Sequence, residues 1–213
     1  GQDIIQRHHA DGLFYEAEEL AIMARHFPVG GSLLDIGANV GNHCLYALLF
    51  LHAAKVVPVE PNLVAAELLV ANLVLNGVER RADLRWLGHG VGRAAGQGYG
   101  VQWKKRNLGG GRLSPGTGDI PLVTGADVIG DDQFDMIKID VEGMELDVLE
   151  GLMPALIEHR PPIFVEVGEE RVQDFEALIG GFGYRIEATY KRYPENCNFL
   201  ISGHPKADLE VKQ

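Results

Sequence analysis

The chain has 213 residues, of which 46% are hydrophobic and 23% charged, and its formal net charge is −11. That balance excludes a disordered chain and supports one folded domain over residues 1–213 with a sizeable core. Its acidity argues against a nucleic-acid partner, because nonspecific binding depends on Lys and Arg neutralising phosphates. The two cysteines, Cys44 and Cys197, form neither a disulfide framework nor a metal-ligand spacing, so a reducing cytoplasm is the default setting. The longest apolar stretch, Cys44 to Ala54, is broken by His52 and falls short of the ~20 residues that span a bilayer. No signal peptide is read at the start, where Arg7, His8 and His9 are followed by acids.

In chain order, residues 1–30 read as a helical cover ahead of a first strand, Ser32 to Ile36. A helix follows from Cys44 to Leu51, then a strand from Lys55 to Val59. After Pro61 and Asn62, residues Leu63, Ala66, Leu69, Leu73 and Val74 recur on one helical face, and Asn76-Gly77 stops the helix. A third strand is expected over Leu84 to Leu87. Residues 90–130 read as a glycine-rich insertion. Ten of the chain's 27 glycines lie between Gly90 and Gly118, which rules out a stable helix at ~1 kcal/mol per internal glycine. Tyr99, Val101 and Trp103 alternate there, so the segment predicts an inserted hairpin, either a substrate cover or a surface loop. Strands are expected over Met136 to Ile139 and Ile163 to Val167, with helices starting near Glu142 and covering Val172 to Gly181. Tyr184 to Tyr190 and Asn198 to Ser202 leave no room for a crossover helix, so they pair as an antiparallel hairpin. The alternation predicts an α/β fold with a doubly wound, mostly parallel sheet and a C-terminal antiparallel hairpin.

The chemistry concentrates in the loop after the first strand, Asp35-Ile36-Gly37-Ala38-Asn39-Val40-Gly41-Asn42-His43. Glycines there let the backbone approach a ligand, and the following helix presents unpaired N–H groups. A dinucleotide fingerprint reads Gly-x-Gly-x-x-Gly and seats a pyrophosphate. Here Asn39 takes the middle glycine position, and Asp35 stands two residues before Gly37. A carboxylate so placed repels pyrophosphate but suits a cofactor with an ammonium and a sulfonium, S-adenosylmethionine (SAM). A second acid, Glu60, ends the next strand, close to the ~20-residue interval of a ribose-binding acid. The hairpin agrees, because a mostly parallel sheet closed by antiparallel strands is the Rossmann-like class I methyltransferase form, whereas a dinucleotide-binding domain stays parallel.

These segments are similar to one family. The chain resembles FkbM-type class I SAM-dependent methyltransferases through Phe14-Tyr15-Glu16, the DIGANVGNH loop, VEPN at Glu60, NLGG at Asn107, IKIDVEGME from Ile137 to Glu145, and PPIFVEV from Pro161 to Val167. Such a resemblance implies methyl transfer to a hydroxyl of a sugar, glycolipid or natural-product acceptor. It implies Asp35, Gly37, Asn39, Gly41 and Glu60 at the cofactor, and Asp140 and Glu142 beside the transferable methyl. Gly88-His89-Gly90-Val91-Gly92 departs from the pattern by lacking the family's short acidic loop.

Methyl transfer to oxygen needs alignment and a base to take the hydroxyl proton. Asp140 closes the fourth expected strand and is the candidate base; Glu142 follows it and is read as holding the loop or an acceptor hydroxyl. Their bland readings are a turn residue and a helix-start acid. Tyr15, Glu16, His43, Pro61 and Asn62 complete the expected cofactor set, with packing and helix capping as the plainer role of Tyr15 and Glu16. Trp103, Lys104, Asn107 and Glu166 are candidate acceptor contacts. Lys104-Lys105-Arg106 suggests an anionic or sugar-bearing acceptor, unless it is only a solvated charge run. His43 and His89 are secondary base candidates, and His204 follows the last strand. Asp140 and Glu166 both end strands and invite a divalent cation, but two carboxylates are too few ligands to define a metal site. An NAD-dependent oxidoreductase and a non-catalytic SAM-fold scaffold are the competing readings. Asp35, Asn39 and the hairpin weigh against the first; both acids kept together with IDVEG weigh against the second.

Overall fold

The computed structural model describes residues 4–103 and 111–203. Two helices come first, α1 (Ile4–Ala10) and α2 (Ala17–Ala24), followed by β1 (Ser32–Ile36), α3 (Asn42–Leu49), β2 (Lys55–Val59) and α4 (Leu63–Leu75). The glycine-rich region supplies β3 (Gly90–Gly92), β4 (Gly96–Trp103), β5 (Gly111–Pro115), β6 (Ile120–Thr124) and the short α5 (Gly125–Ile129). The chain then alternates β7 (Met136–Ile139), α6 (Glu145–His159), β8 (Ile163–Gly168) and α7 (Val172–Gly181). It closes on β9 (Tyr184–Tyr193) and β10 (Asn196–Gly203).

The main sheet has the strand order β2-β1-β7-β8-β10-β9. Its first four strands are parallel, and β10 runs antiparallel to both β8 and β9, as the sequence predicts. Alternate residues face opposite layers. Leu34, Val57, Ile137, Ile139 and Val165 meet Val148 and Leu152 of α6 and Phe175 of α7. Leu33, Val56, Met136 and Phe164 meet Cys44 and Leu45 of α3 and Leu69 and Leu73 of α4. A sheet covered on both faces needs apolar residues at odd and even positions alike, hence the near-continuous apolar runs of these strands.

Several sequence expectations change. Leu84 to Leu87 is not a strand: two isolated bridges, Val56 to Ala82 and Glu60 to Leu87, bracket a turn. The Asp83 carboxylate makes that turn by accepting the Arg85 backbone N–H at 3.3 Å and its guanidinium. Glu142 does not start a helix, because Gly143 takes a left-handed φ of 76° and α6 begins only at Glu145. Asn62 caps α4 by accepting from the Val64 N–H at 3.1 Å, but Leu63 and Val74 of the expected apolar face are exposed, and Ala65 is buried instead. The hairpin strands are longer than expected and joined through Pro194 and Glu195.

The glycine-rich region is more than a hairpin. Its strands form a second sheet, β3-β6-β4-β5, with β3 parallel to β6 and β4 antiparallel to β5 and β6. Gly151 of α6 lets this sheet approach, since a Cβ there would lie 2.2 Å from the Gly92 carbonyl oxygen. At the other end, Asn42 of α3 clamps the N-terminal helices. Its Oδ1 accepts from the Tyr15 N–H at 3.2 Å, and its Nδ2 donates to the Tyr15 carbonyl at 2.9 Å. Tyr15 also meets the hairpin through the Tyr193 hydroxyl at 3.0 Å and beneath the Arg192 guanidinium. Among the described residues no helix is long and apolar enough to cross a membrane.

Candidate active site

The site begins as a row of polar residues where the strands of the main sheet end. Strand register puts Asp35 opposite Lys138 and Glu166 opposite Asn198, on the face that is otherwise apolar. Lys138 is the centre of this row and the residue the sequence reading missed. Only 3% exposed, it places Nζ 3.3 Å from Asp35 and 3.3 Å from Asp140, and donates to the Gly37 carbonyl at 3.1 Å. Burial alone would discharge this lysine, but the carboxylates of Asp140, Asp35 and Glu16 outweigh it and hold the ammonium above its ordinary value. Asp35 is 0% exposed and also accepts from the Cys44 thiol at 3.2 Å. It lines none of the clefts described below, and Lys138, which it pairs with, lines one of them.

The loop itself is fixed from both sides. Gly37 (φ 81°) admits no side chain, because a Cβ would fall 1.8 Å from the Asp140 carbonyl oxygen. Its N–H and that of Ala38 bond the Val59 carbonyl at 2.9 and 3.1 Å. Gly41 (φ 87°) precedes α3 and packs on Leu69 instead of lining a cleft. Glu60 ties the first two strand ends together. One carboxylate oxygen accepts the Asn39 N–H and the other the Asn62 N–H, both at 2.8 Å. Each oxygen keeps a second lone pair for a ligand hydroxyl.

Three clefts meet at Asp140 and Glu142, which line all of them. The inner cleft is walled by Asn39, Glu60, Pro61, Asn62 and His89, with Val101 and Leu113 brought over it by the β4–β5 hairpin. A second cleft has Tyr15, Glu16, His43, Lys138 and Glu166. The outer cleft runs from Asp140 past Glu145 and Glu166 to Glu170 and Glu195. Glu16 takes a left-handed φ of 60°, and such backbone in a non-glycine residue clusters at functional sites. Two buried polar atoms on the inner wall have no partner, Oδ1 of Asn39 and Nδ2 of Asn62. An acceptor and a donor left open beside Glu60 fit the polar edge of a nucleoside, so these residues suit the adenosyl part of SAM.

Four carboxyls here stand above their ordinary value. Burial, aided for Glu16 by the Asp140 charge, pushes Glu16 and Glu60 up to about 7, and burial pushes Glu145 up to about 6. Burial together with Asp140 and Glu16 lifts Glu166 to about 8. The unfolded chain ionises these groups near 4.5, so their stabilisation is complete below that pH and is lost as pH rises through 6 to 8. His43 works in the other direction. Burial and Lys138 hold it well below 6.5, so its contribution is lost as pH falls. We therefore expect the melting temperature of the ligand-free protein to fall from pH 6.5 to 8, and Glu166→Gln to flatten that slope. A melting temperature that climbs across this interval contradicts the assignment.

The structure thus brings Tyr15, Glu16, Gly37, Asn39, His43, Glu60, Pro61, Asn62, Asp140, Glu142 and Glu166 to the clefts. The Trp103 side chain, Lys104, Asn107, the Lys104-Lys105-Arg106 cluster and His204 lie outside the described residues. Among the described residues no three His, Cys, Asp or Glu side chains converge to hold a metal ion. Besides Lys138, the sequence reading missed Glu145 as a cleft residue, Glu170 after β8, and Glu195 and Asn196 at the turn between β9 and β10.

No curated protein sequence matches the chain. Among solved structures, the FkbM methyltransferase of Methylobacillus flagellatus KT superposes with a TM-score of 0.57 at 21% identity, covering 82% of this chain but only 44% of that one. Sp1610 of Streptococcus pneumoniae, solved in complex with S-adenosyl-L-methionine, gives 0.60 at 15% identity, over 89% of this chain and 74% of that one. The M1A22 tRNA methyltransferase TrmK of B. subtilis gives 0.57 at 12% identity, over 92% and 69%. At such identities the likeness is one of fold, that of a Rossmann-like class I methyltransferase. The methyltransferase FkbM domain family matches residues 35–186, more than half of the sequence. The chain belongs to the FkbM methyltransferase family.

Proposed function

We propose that the protein is a SAM-dependent O-methyltransferase acting on a hydroxyl of a sugar, glycolipid or natural product. The observation that carries this reading is the convergence of three clefts on Asp140, with nucleoside-suited groups on one side and a polar cleft on the other. Glu60 receives the ribose hydroxyls, and Asn39 and Asn62 face the remaining polar edge of the nucleoside. Tyr15, Glu16 and His43 surround the amino-acid end, while Asp35 positions Lys138 from below. The bound cofactor supplies an activated methyl on a sulfonium, which leaves as a neutral thioether. The protein therefore needs to align the acceptor oxygen and take its proton as the new O–CH₃ bond forms. Asp140 is the base by position.

TrmK is named for tRNA, yet an RNA acceptor would bring phosphates to a wall of carboxylates, a repulsive match. Calorimetry should show binding of SAM and of S-adenosylhomocysteine, and none of NAD. Glu60→Ala removes both the ribose acceptors and the anchor of the Asn39 and Asn62 loops, so affinity should fall by roughly 2–3 kcal/mol. Unchanged affinity in that variant removes Glu60 from the site, and NAD binding in place of SAM overturns the reading.

A further inference from the structure

We propose that the outer cleft is the acceptor subsite and that it takes an amine-bearing polyol, an amino sugar or aminocyclitol. The ammonium group sits among the outer carboxylates while a hydroxyl faces Asp140. This rests on the methyltransferase reading and narrows its acceptor from any hydroxyl compound to a cationic one.

The cleft is the largest of the three, about 260 Å³, and six of its lining residues are acids: Asp140, Glu142, Glu145, Glu166, Glu170 and Glu195. Among the described residues that line it the cation is Arg112, beside the turn at Gly143, and the Arg171 charge also acts on Glu145. Lys138 lies behind Asp140 and already faces Asp35 and Asp140. A second observation concerns Glu145. It is 5% exposed, its Oε1 accepts the Gly143 N–H at 2.7 Å, and its Oε2, buried in the wall of the cleft, has no partner. A buried carboxylate oxygen without a partner is costly unless a donor arrives. Glu166 accepts from Asn196 Nδ2 at 2.7 Å and from Asn198 Nδ2 at 3.5 Å and feels the Lys138 charge, but among the described residues it forms no ion pair. The upward shifts of Glu145 and Glu166 report the same condition, desolvated acids crowding one another. An ammonium answers both needs, since it supplies three donors and cancels the repulsion. Ring hydroxyls add donors for the remaining oxygens. A phosphate or carboxylate on the acceptor meets the opposite. The sequence-based case for an anionic acceptor rested on Lys104-Lys105-Arg106, which lie outside the described residues.

The test uses three ring polyols of similar size: 2-deoxystreptamine, a diamine; neutral myo-inositol; and anionic myo-inositol phosphate. Each is titrated calorimetrically in EDTA, with and without S-adenosylhomocysteine. We expect the diamine to bind ~10-fold or more tightly than myo-inositol and the phosphate not to bind, in keeping with charge-assisted hydrogen bonds. Glu170→Gln combined with Glu195→Gln changes two exposed residues that leave the core untouched. It should weaken the diamine ~10-fold while S-adenosylhomocysteine binds as before. Glu145→Gln should also weaken it. Equal or reversed preference among the three polyols, or a diamine affinity that the double variant leaves intact, overturns the proposal. If S-adenosylhomocysteine itself fails to bind, the methyltransferase reading fails; if it binds and the diamine shows no preference, only this inference does.

Discussion

Lys138→Met is expected to destabilise the protein by roughly 3–5 kcal/mol, the usual cost of stripping the partner from a buried charge. The substitution preserves length and volume, so packing on the sheet is largely kept. What it leaves behind is Asp35, 0% exposed, with no other cation paired to it among the described residues, and a Gly37 carbonyl without its donor. Asp140 loses the same partner but is 40% exposed at its side chain and can turn to water. The loss should therefore come through Asp35. The double variant Lys138→Met/Asp35→Asn tests that directly, because removing both charges should recover most of the stability. Urea denaturation of the wild type, both single variants and the pair gives the coupling. A single-variant loss under ~1 kcal/mol, the range of an exposed ion pair, would mean that Lys138 does not hold the loop.

Lys138 also shows where the sequence stopped being informative. Local features were legible. Apolar runs, Asn62 before a helix and the glycine turn at Gly37 each depend on neighbours a few residues away, and each appears in the structure as expected. The loop after β1 and the acid at the end of β2 were equally visible, since motif and strand end are adjacent. Non-local pairings were not. A lysine inside Met136-Ile137-Lys138-Ile139 signals a buried cation needing a partner. Only the parallel register of β7 against β1, however, reveals that the partner is Asp35. That pairing also explains why Asp35, read from sequence as a ligand contact, lies beneath the clefts. The outer cleft is harder still, because Glu145, Glu170 and Glu195 come from three segments and each alone looks like a solvated acid. Leu84 to Leu87 failed differently, with local apolar content pointing to a strand while the Asp83 side chain satisfied the backbone in a turn.

The second large effect is expected at Asp140, where Asp140→Asn should lower kcat by ~10²–10⁴, the contribution of a positioned general base. The amide keeps the shape, and S-adenosylhomocysteine affinity should hold, since the nucleoside contacts proposed above are those of Glu60, Asn39 and Asn62. The backbone of Asp140 is fixed by its N–H to the Ile36 carbonyl at 3.0 Å and by the close approach of Gly37, so the side chain starts from a rigid point. Glu142 follows after one residue on a turn, lines the outer cleft as well as the other two, and should act on acceptor binding. Glu142→Gln should therefore raise KM with kcat little changed. A chelator separates base from metal ligand: activity lost in EDTA and restored by Mg²⁺ would make Asp140 a ligand. Full activity in Asp140→Asn, with or without metal, would sink both roles and move the proton to His43. That imidazole is buried, kept neutral by its surroundings, and carries an Nε2 without a hydrogen-bond partner at the edge of the second cleft.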